Sequence, residues 1–527
     1  WPEDVRREVL VPPGHIIMIR APHSFRVRIS ENGRILMQRD SLKSRRNVNF
    51  VLLPPLKTVE SAKLRQIKIS VYADKHSKRD VANLMFLPNL SGKQFINTEF
   101  SSEKVISSGS VMLSVNGRGG MCRQPLEWGE IYSRYDCILA GNLNPTYPED
   151  RHMMWTRCRI CTDHHGRKEW FSAHKLDSFN LGNDGNSGVW TFSVPLGNGL
   201  FARFVVGLWM IKGKNQVVLK IKRIGKTDGE KTLLEDRIPL KIIIRPDLED
   251  RNFHYETKAY LGLENIWPNS VTASVKSFVF EPAHDRKICI STSKGVFRRS
   301  NEWSYAIHRQ KEAERGLDPY GDLFSPGYFE VMMSGDEEDV LVGTILTPME
   351  PDKEKRSDEK MLIPKQVNKL ELDYVLEKAA EKFIVAREGW KTVIAGYPWF
   401  LDWGRDTLIA ARGLISAGKT AEVKKILLLF AKFAEKGTLP NMIQGENASN
   451  RDTSDAPLWL FVAVADFCAA SSSDDILYEQ VDEKRTLLDT LSGIADSYMS
   501  GTPNGIMMDT ESGLIFSPSH FSWMDTN

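Results

Sequence analysis

The sequence predicts a multidomain chain in which antiparallel β-sandwich regions precede an incomplete (α/α)6 toroid. Three observations carry that expectation. The chain has 527 residues, enough for three or four domains at roughly 150 residues each. Its first two thirds hold short runs rich in Val and Ile, closely punctuated by turn residues, the pattern of antiparallel sheets rather than βαβ units. After a charged stretch at 351–360, apolar residues recur at helical spacing.

In order, strands are expected at Ile16–Arg20, Phe25–Ile29, Ile67–Tyr72, Val205–Ile211, Val217–Ile221 and Leu240–Ile244. Glu31-Asn32-Gly33, Leu196-Gly197-Asn198-Gly199 and Lys212-Gly213-Lys214 supply turns between them. Pro351–Lys360 has almost no apolar residue and reads as an exposed linker. Helices are expected at Leu370–Ala386, Thr407–Ala417, Ala421–Lys436, Pro457–Ala470 and Glu483–Tyr498, with Gly418 closing the second as a left-handed cap. One link is tight and three are long (Arg387–Asp406, Gly437–Ser454 and Met499–Asn527). Short and long links alternating suit concentric helical pairs whose long loops share one rim and can hold a site. The expected domains are a β-rich accessory region at 1–100, a β-sandwich at 101–350, the linker at 351–365 and the first part of the toroid at 366–527.

Composition narrows the function classes. Lys and Arg number 70 against 68 Asp and Glu, a net charge of +2, which disfavours a polybasic nucleic-acid protein. At 41% hydrophobic and 26% charged residues the chain is neither disordered nor fibrous. Leu458–Phe467 is too short to cross a bilayer needing about 20 apolar residues. Six cysteines are too sparse for a disulfide scaffold and fit a reducing, cytoplasmic setting. The chain opens at Trp1-Pro2 and stops at Met524-Asp525-Thr526-Asn527 with no helix stop or closing strand, so N- and C-terminal parts of a longer polypeptide are expected to be missing.

The densest chemical cluster is Tyr397-Pro398-Trp399-Phe400-Leu401-Asp402-Trp403-Gly404-Arg405-Asp406-Thr407. Aromatic faces pack on the C–H faces of sugars, and Arg–Asp pairs bond vicinal hydroxyls, so carbohydrate is the natural ligand. The competing reading has Asp406 capping a helix and the aromatics in the core. Gly437–Asn441 with Asn450–Trp459 could be no more than a helix start, with Asp455 complementing the dipole. In Phe521-Ser522-Trp523-Met524-Asp525, an Asp near Trp can be held protonated by desolvation, although the pairing is common. Cys158-Arg159-Ile160-Cys161-Thr162-Asp163-His164-His165 has part of a zinc spacing but no second half, and reads as strand and turn. Asn116-Gly117-Arg118-Gly119-Gly120 reads as a tight turn rather than a phosphate loop, for want of a flanking strand and helix.

Together these segments resemble the glycogen debranching enzymes. Ala395–Phe400 and Asp402–Thr407 resemble the signature that opens their amylo-α-1,6-glucosidase domain, and Leu439–Asn441, Asp455–Trp459 and Trp523–Asp525 follow in the family's order. Upstream, Asn116–Gly120, Arg134–Ala140 and Leu143–Pro145 resemble the start of its N-terminal β-sandwich domain. The chain departs at Asp136, where the family often has His, and at Leu401, where Gly is common. Residues 1–100 lie outside the resemblance; one reading makes them the closing β domain of an upstream amylase-like module.

The resemblance implies an inverting hydrolase of the α-1,6-linked glucose stub on trimmed branches of glycogen or a related α-glucan. Asp525 is then the general acid. Arg405 and Asp406 grip the terminal glucose, Trp403 walls the pocket, and Asn441 and Asp455 belong to the same pocket; Trp399 and Trp523 complete the candidate substrate-binding set. Inversion needs a second carboxylate ~6.5–9.5 Å away across the sugar, which the resemblance assigns to a Glu late in the toroid, so this chain alone is expected to be inactive. The mechanism calls for no metal or cofactor, and the expected partner is an α-glucan, not nucleic acid or a membrane. A glucoamylase-like or trehalase-like exo-glucosidase and a non-catalytic glucan-binding module are the alternatives.

Overall fold

The computed structural model describes residues 9–44, 48–57, 59–73, 76–88, 94–149, 151–227, 229–350, 363 and 365–523. By internal contacts these form two compact units, divided after Gln94.

In the first unit, strict alternation in Ser24–Glu31 buries Phe25, Val27 and Ile29 on one face. That strand lies in a five-stranded sheet ordered Val9–Val11, His76–Phe86, Lys63–Ala73, Ser24–Glu31, Arg34–Asp40. A second sheet of Ile17–Ala21, Asn49–Leu53 and Leu42–Lys43 adds Ile19, Val51 and Leu53 to the same core. The predicted turn Asn32-Gly33 takes positive φ at both residues (47° and 81°), as a two-residue hairpin requires.

The second unit begins with two large antiparallel sheets around one core. One has nine strands, with Ser187–Gly197, Leu200–Met210, Gln216–Ile224 and Glu338–Leu346 at its middle. The other has eight, running from Val111–Val115 through His152–His164, Leu240–Asn252 and Tyr320–Met333 to the edge strand Val296–His308. Trp155, Trp190, Phe192, Phe204 and Phe278 fill the space between them. Three short helices, α1 (Ser102–Ser108), α2 (Leu263–Ile266) and α3 (Gln310–Glu314), lie in the connections. Cys158 and Cys161 are buried, free thiols on the strand His152–His164, and no group of three metal-ligating side chains occurs among the described residues. Asn116 Oδ1 accepts from the backbone N–H of Arg118 (2.9 Å) and Gly120 (3.0 Å), closing the predicted tight turn.

The predicted linker 351–365 falls, apart from Ile363 and Lys365, outside the described residues. Beyond it the chain turns helical: α4 (Leu372–Glu381), α5 (Gly404–Ser416), α6 (Thr420–Lys432), α7 (Ala456–Ser471) and α8 (Leu487–Ser500). The helix expected at Leu370–Ala386 stops early, because β-branched Ile384 and Val385 pair with Val393 and Thr392 across a hairpin turned by Glu388 (φ 48°) and Gly389 (φ 80°). Gly418 (φ 75°) ends α5 as predicted: its N–H bonds the Ile415 carbonyl at 2.9 Å and Lys419 N–H bonds that of Leu414 at 2.9 Å. Helix α8 starts at Leu487 rather than Glu483, because Thr486 and Asp489 form a reciprocal cap. Thr486→Ala is therefore expected to cost about 1 kcal/mol; an unchanged thermal midpoint would refute the cap's contribution. Helix α5 packs on α6 and α7, and Leu408, Leu427, Phe430, Leu460 and Ile494 share its core. No helix among the described residues is long and apolar enough to cross a membrane.

Candidate functional site

The loops before α5 and α7 meet in a short antiparallel pair, Asp402↔Ile443 and Trp403↔Met442. Gly404 N–H donates to the Asn441 carbonyl at 2.9 Å, and a Cβ on Gly404 would lie 2.2 Å from the Pro440 carbonyl oxygen, so only glycine lets the two loops touch. This seam fixes where α5 begins and hence where Arg405 and Asp406 stand in its first turn.

Arg405 Nε donates to Asp455 Oδ2 at 2.7 Å, joining the first turn of α5 to the N-cap residue of α7. Thr453 Oγ1 donates to the other Asp455 oxygen at 2.9 Å and accepts from Ala456 N–H at 3.3 Å, which holds the carboxylate still. Neither Nη of Arg405 has a hydrogen-bond partner among the described residues. Arg405, Asp406 and Trp523 line a mainly apolar cleft of about 930 Å³, whose walls include Leu376, Phe383, Ile394, Ala410 and Leu414. Lost hydration raises the Asp406 carboxyl above its ordinary range; its own backbone N–H and Arg405 oppose this, and the Asp455 carboxylate adds to it.

Trp523 reaches the cleft because Ser454, next to Asp455, grips the preceding segment: Ser454 N–H bonds the Phe521 carbonyl at 2.6 Å, and Ser517 Oγ bonds Ser454 Oγ at 2.8 Å. Asp525, the predicted acid, lies outside the described residues. Asn441 serves through its backbone, and its buried Oδ1 has no partner among the described residues. Trp403 is half-buried, its ring 6.1 Å from that of Phe400. Trp399 is not brought to the cleft. A turn at 397–399 carries it to the sandwich, 5.3 Å from the Tyr135 ring and 5.0 Å from the Arg315 guanidinium.

Two supports escaped sequence reasoning. Asp402 is wholly buried, accepts from Thr392 Oγ1 at 2.6 Å and faces Arg387 Nη1 at 3.4 Å; burial lifts its pKa from 3.8 to about 6. Its place inside the aromatic cluster was the available signal. Arg151, also wholly buried, donates to the carbonyls of Gly119 (2.9 Å), Pro398 (2.8 Å) and Phe400 (3.2 Å) and stacks on Tyr397 at 4.5 Å. Nothing in the sequence marks it.

Two family descriptions match the chain: "Glycogen debranching enzyme N terminal" over residues 111–340 and "Amylo-alpha-1,6-glucosidase" over residues 378–527. The glycogen debranching enzyme of Saccharomyces cerevisiae is 32% identical over 120 residues, a match covering 21% of this chain and 8% of that protein. The chain thus matches under a tenth of that relative's length. A putative kojibiose phosphorylase from the human microbiome is similar in structure with a TM-score of 0.40 and 10% identity, over 76% of this chain and 58% of that one. With the N-terminal and glucosidase descriptions matched in sequence order, the chain belongs to the glycogen debranching enzyme family.

Proposed function

We propose that the chain carries part of an inverting amylo-α-1,6-glucosidase, which removes the α-1,6-linked glucose left at branch stubs of glycogen or a related α-glucan. One arrangement supports this reading above the rest: Arg405 and Asp455 bonded at the meeting helix starts of α5 and α7, with Asp406 beside them and Trp523 in the same cleft. Arg405, held by its Nε, keeps two NH₂ groups for sugar hydroxyls, and Asp406 accepts from a neighbouring hydroxyl. Trp523 supplies a flat face and brings the chain to Asp525 two residues later. In this reading α5 and α7 line the inside of an (α/α)6 toroid while α6 and α8 lie outside, consistent with α5 packing on α7 across the intervening α6.

Asp525 protonates the glycosidic oxygen as the C1–O bond breaks, while a carboxylate on the far sugar face takes a proton from the attacking water. The inverting reading assigns that base to a Glu late in the toroid. The six free cysteines fit a cytoplasmic enzyme.

The test is glucose release by the full-length protein from a phosphorylase-trimmed branched dextrin, beside its Asp525→Asn form. The parent should release free glucose, and the variant about a hundredfold less or worse. A folded parent that releases none from the dextrin, or only from maltose or trehalose, would sink the debranching reading.

A further inference from the structure

Trp399 leaves the cleft but is not spent on core packing. It keeps 38% of its surface exposed and Phe400 keeps 46%. Ring by ring, these two join Trp403 at the cleft loop to the sandwich: Trp403 to Phe400 at 6.1 Å, Phe400 to Trp399 at 6.0 Å, Trp399 to Tyr135 at 5.3 Å and Tyr135 to His254 at 6.0 Å. Tyr135 is buried and acts as the anchor, its hydroxyl 3.2 Å from His254 Nδ1. Tyr255 follows His254 in the chain and is 70% exposed.

Two guanidinium groups flank the row. Arg315 lies 5.0 Å over the Trp399 ring, and Arg134 Nη1 holds the His254 carbonyl at 2.7 Å. Exposed rings beside the Arg315 guanidinium suit a neutral polymer that offers apolar ring faces and hydroxyls in turn, better than an aliphatic protein surface, which needs neither.

We infer that Phe400, Trp399 and Tyr255 form an α-glucan track on the sandwich, continuous with the cleft, that holds the chain from which the branch stub projects. The inference rests on the proposed glucosidase reading and extends it. A glucose stub alone gives the cleft little to grip, so affinity for a branched polymer must come from sugars on either side of the branch. A row of weak ring contacts beside the cleft supplies that affinity by making each further contact intramolecular.

The track is tested by retardation of the full-length protein in gels containing glycogen. Tyr255→Ala and Trp399→Ala should each raise the glycogen concentration for half-retardation about fivefold, and the double variant more than either. Trp399→Phe should restore most of the retention, whereas Tyr478→Ala, at another exposed tyrosine (61%) beyond α7, should match the parent. Tyr255 is exposed enough that its loss leaves folding intact, so the test does not depend on Trp399→Ala being stable. Retardation of both alanine variants equal to that of a parent that releases glucose would overturn the track and leave the glucosidase reading standing. A parent that releases no glucose yet loses retardation through these variants would instead remove that reading and leave a glucan-binding surface.

Discussion

Arg151→Met is expected to lower the unfolding free energy by about 3–5 kcal/mol and to open the Tyr397–Phe400 segment to proteolysis. The guanidinium donates to three carbonyls, at Gly119, Pro398 and Phe400, from a wholly buried position. Methionine fills much of the volume but leaves those oxygens dry and unpaired, and hydrogen bonds to a charged donor are worth about 1.5–3 kcal/mol each. Because Gly119 lies in a sandwich turn while Pro398 and Phe400 lead into α5, the loss falls on the junction between sheet and helices. Arg151→Lys keeps the charge but not the planar fork, and should fall between parent and Met variant. A Met variant within about 1 kcal/mol of the parent, with the segment still protected, would refute this role.

Asp402→Ala should cost a similar amount, about 3–5 kcal/mol, because it leaves Arg387 buried beside no carboxylate. Among the described residues Arg387 then keeps its bond to the Gly445 carbonyl and the faces of Tyr147 and Phe433, 5.5 and 5.6 Å away. The same carboxyl gives a pH signature. Burial lifts its pKa from 3.8 to about 6 against the pull of Arg387 and Thr392. Between those values the folded chain holds the Asp402 proton more firmly than the unfolded chain does. Stability from this group is therefore fully present below about pH 4 and declines as pH rises to about 6, by about 3 kcal/mol in all. Asp402→Asn cannot titrate, so the stability of the parent minus that of this variant should fall across this window. A flat difference would show that Asp402 does not titrate there.

Much of this was legible from residues close in sequence. Alternation in Ser24–Glu31 sets its buried face, and Gly418 stands where an αL cap is needed. The Arg405–Asp455 bond links two clusters already visible as unusual. What stayed hidden depends on distant partners. Helical spacing ran through Ile384 and Val385 because their strand partners lie beyond a turn. Arg151 reads as an ordinary surface charge until carbonyls more than two hundred residues away converge on it. Trp399 and Trp403 share one motif, yet a turn sends the first to the sandwich while strand pairing with Met442 keeps the second near the cleft. Spacing alone cannot record that divergence.

The seam at Gly404 also limits how this protein can vary. Every side chain other than hydrogen must push the Pro440 carbonyl away, and that movement breaks the bond from Gly404 N–H to Asn441. A library randomised at position 404 and selected for folded protein should return glycine alone. At Trp403, half-exposed beside it, the same selection should accept other large rings. The two adjacent positions answer to different demands: backbone contact at Gly404, surface shape at Trp403.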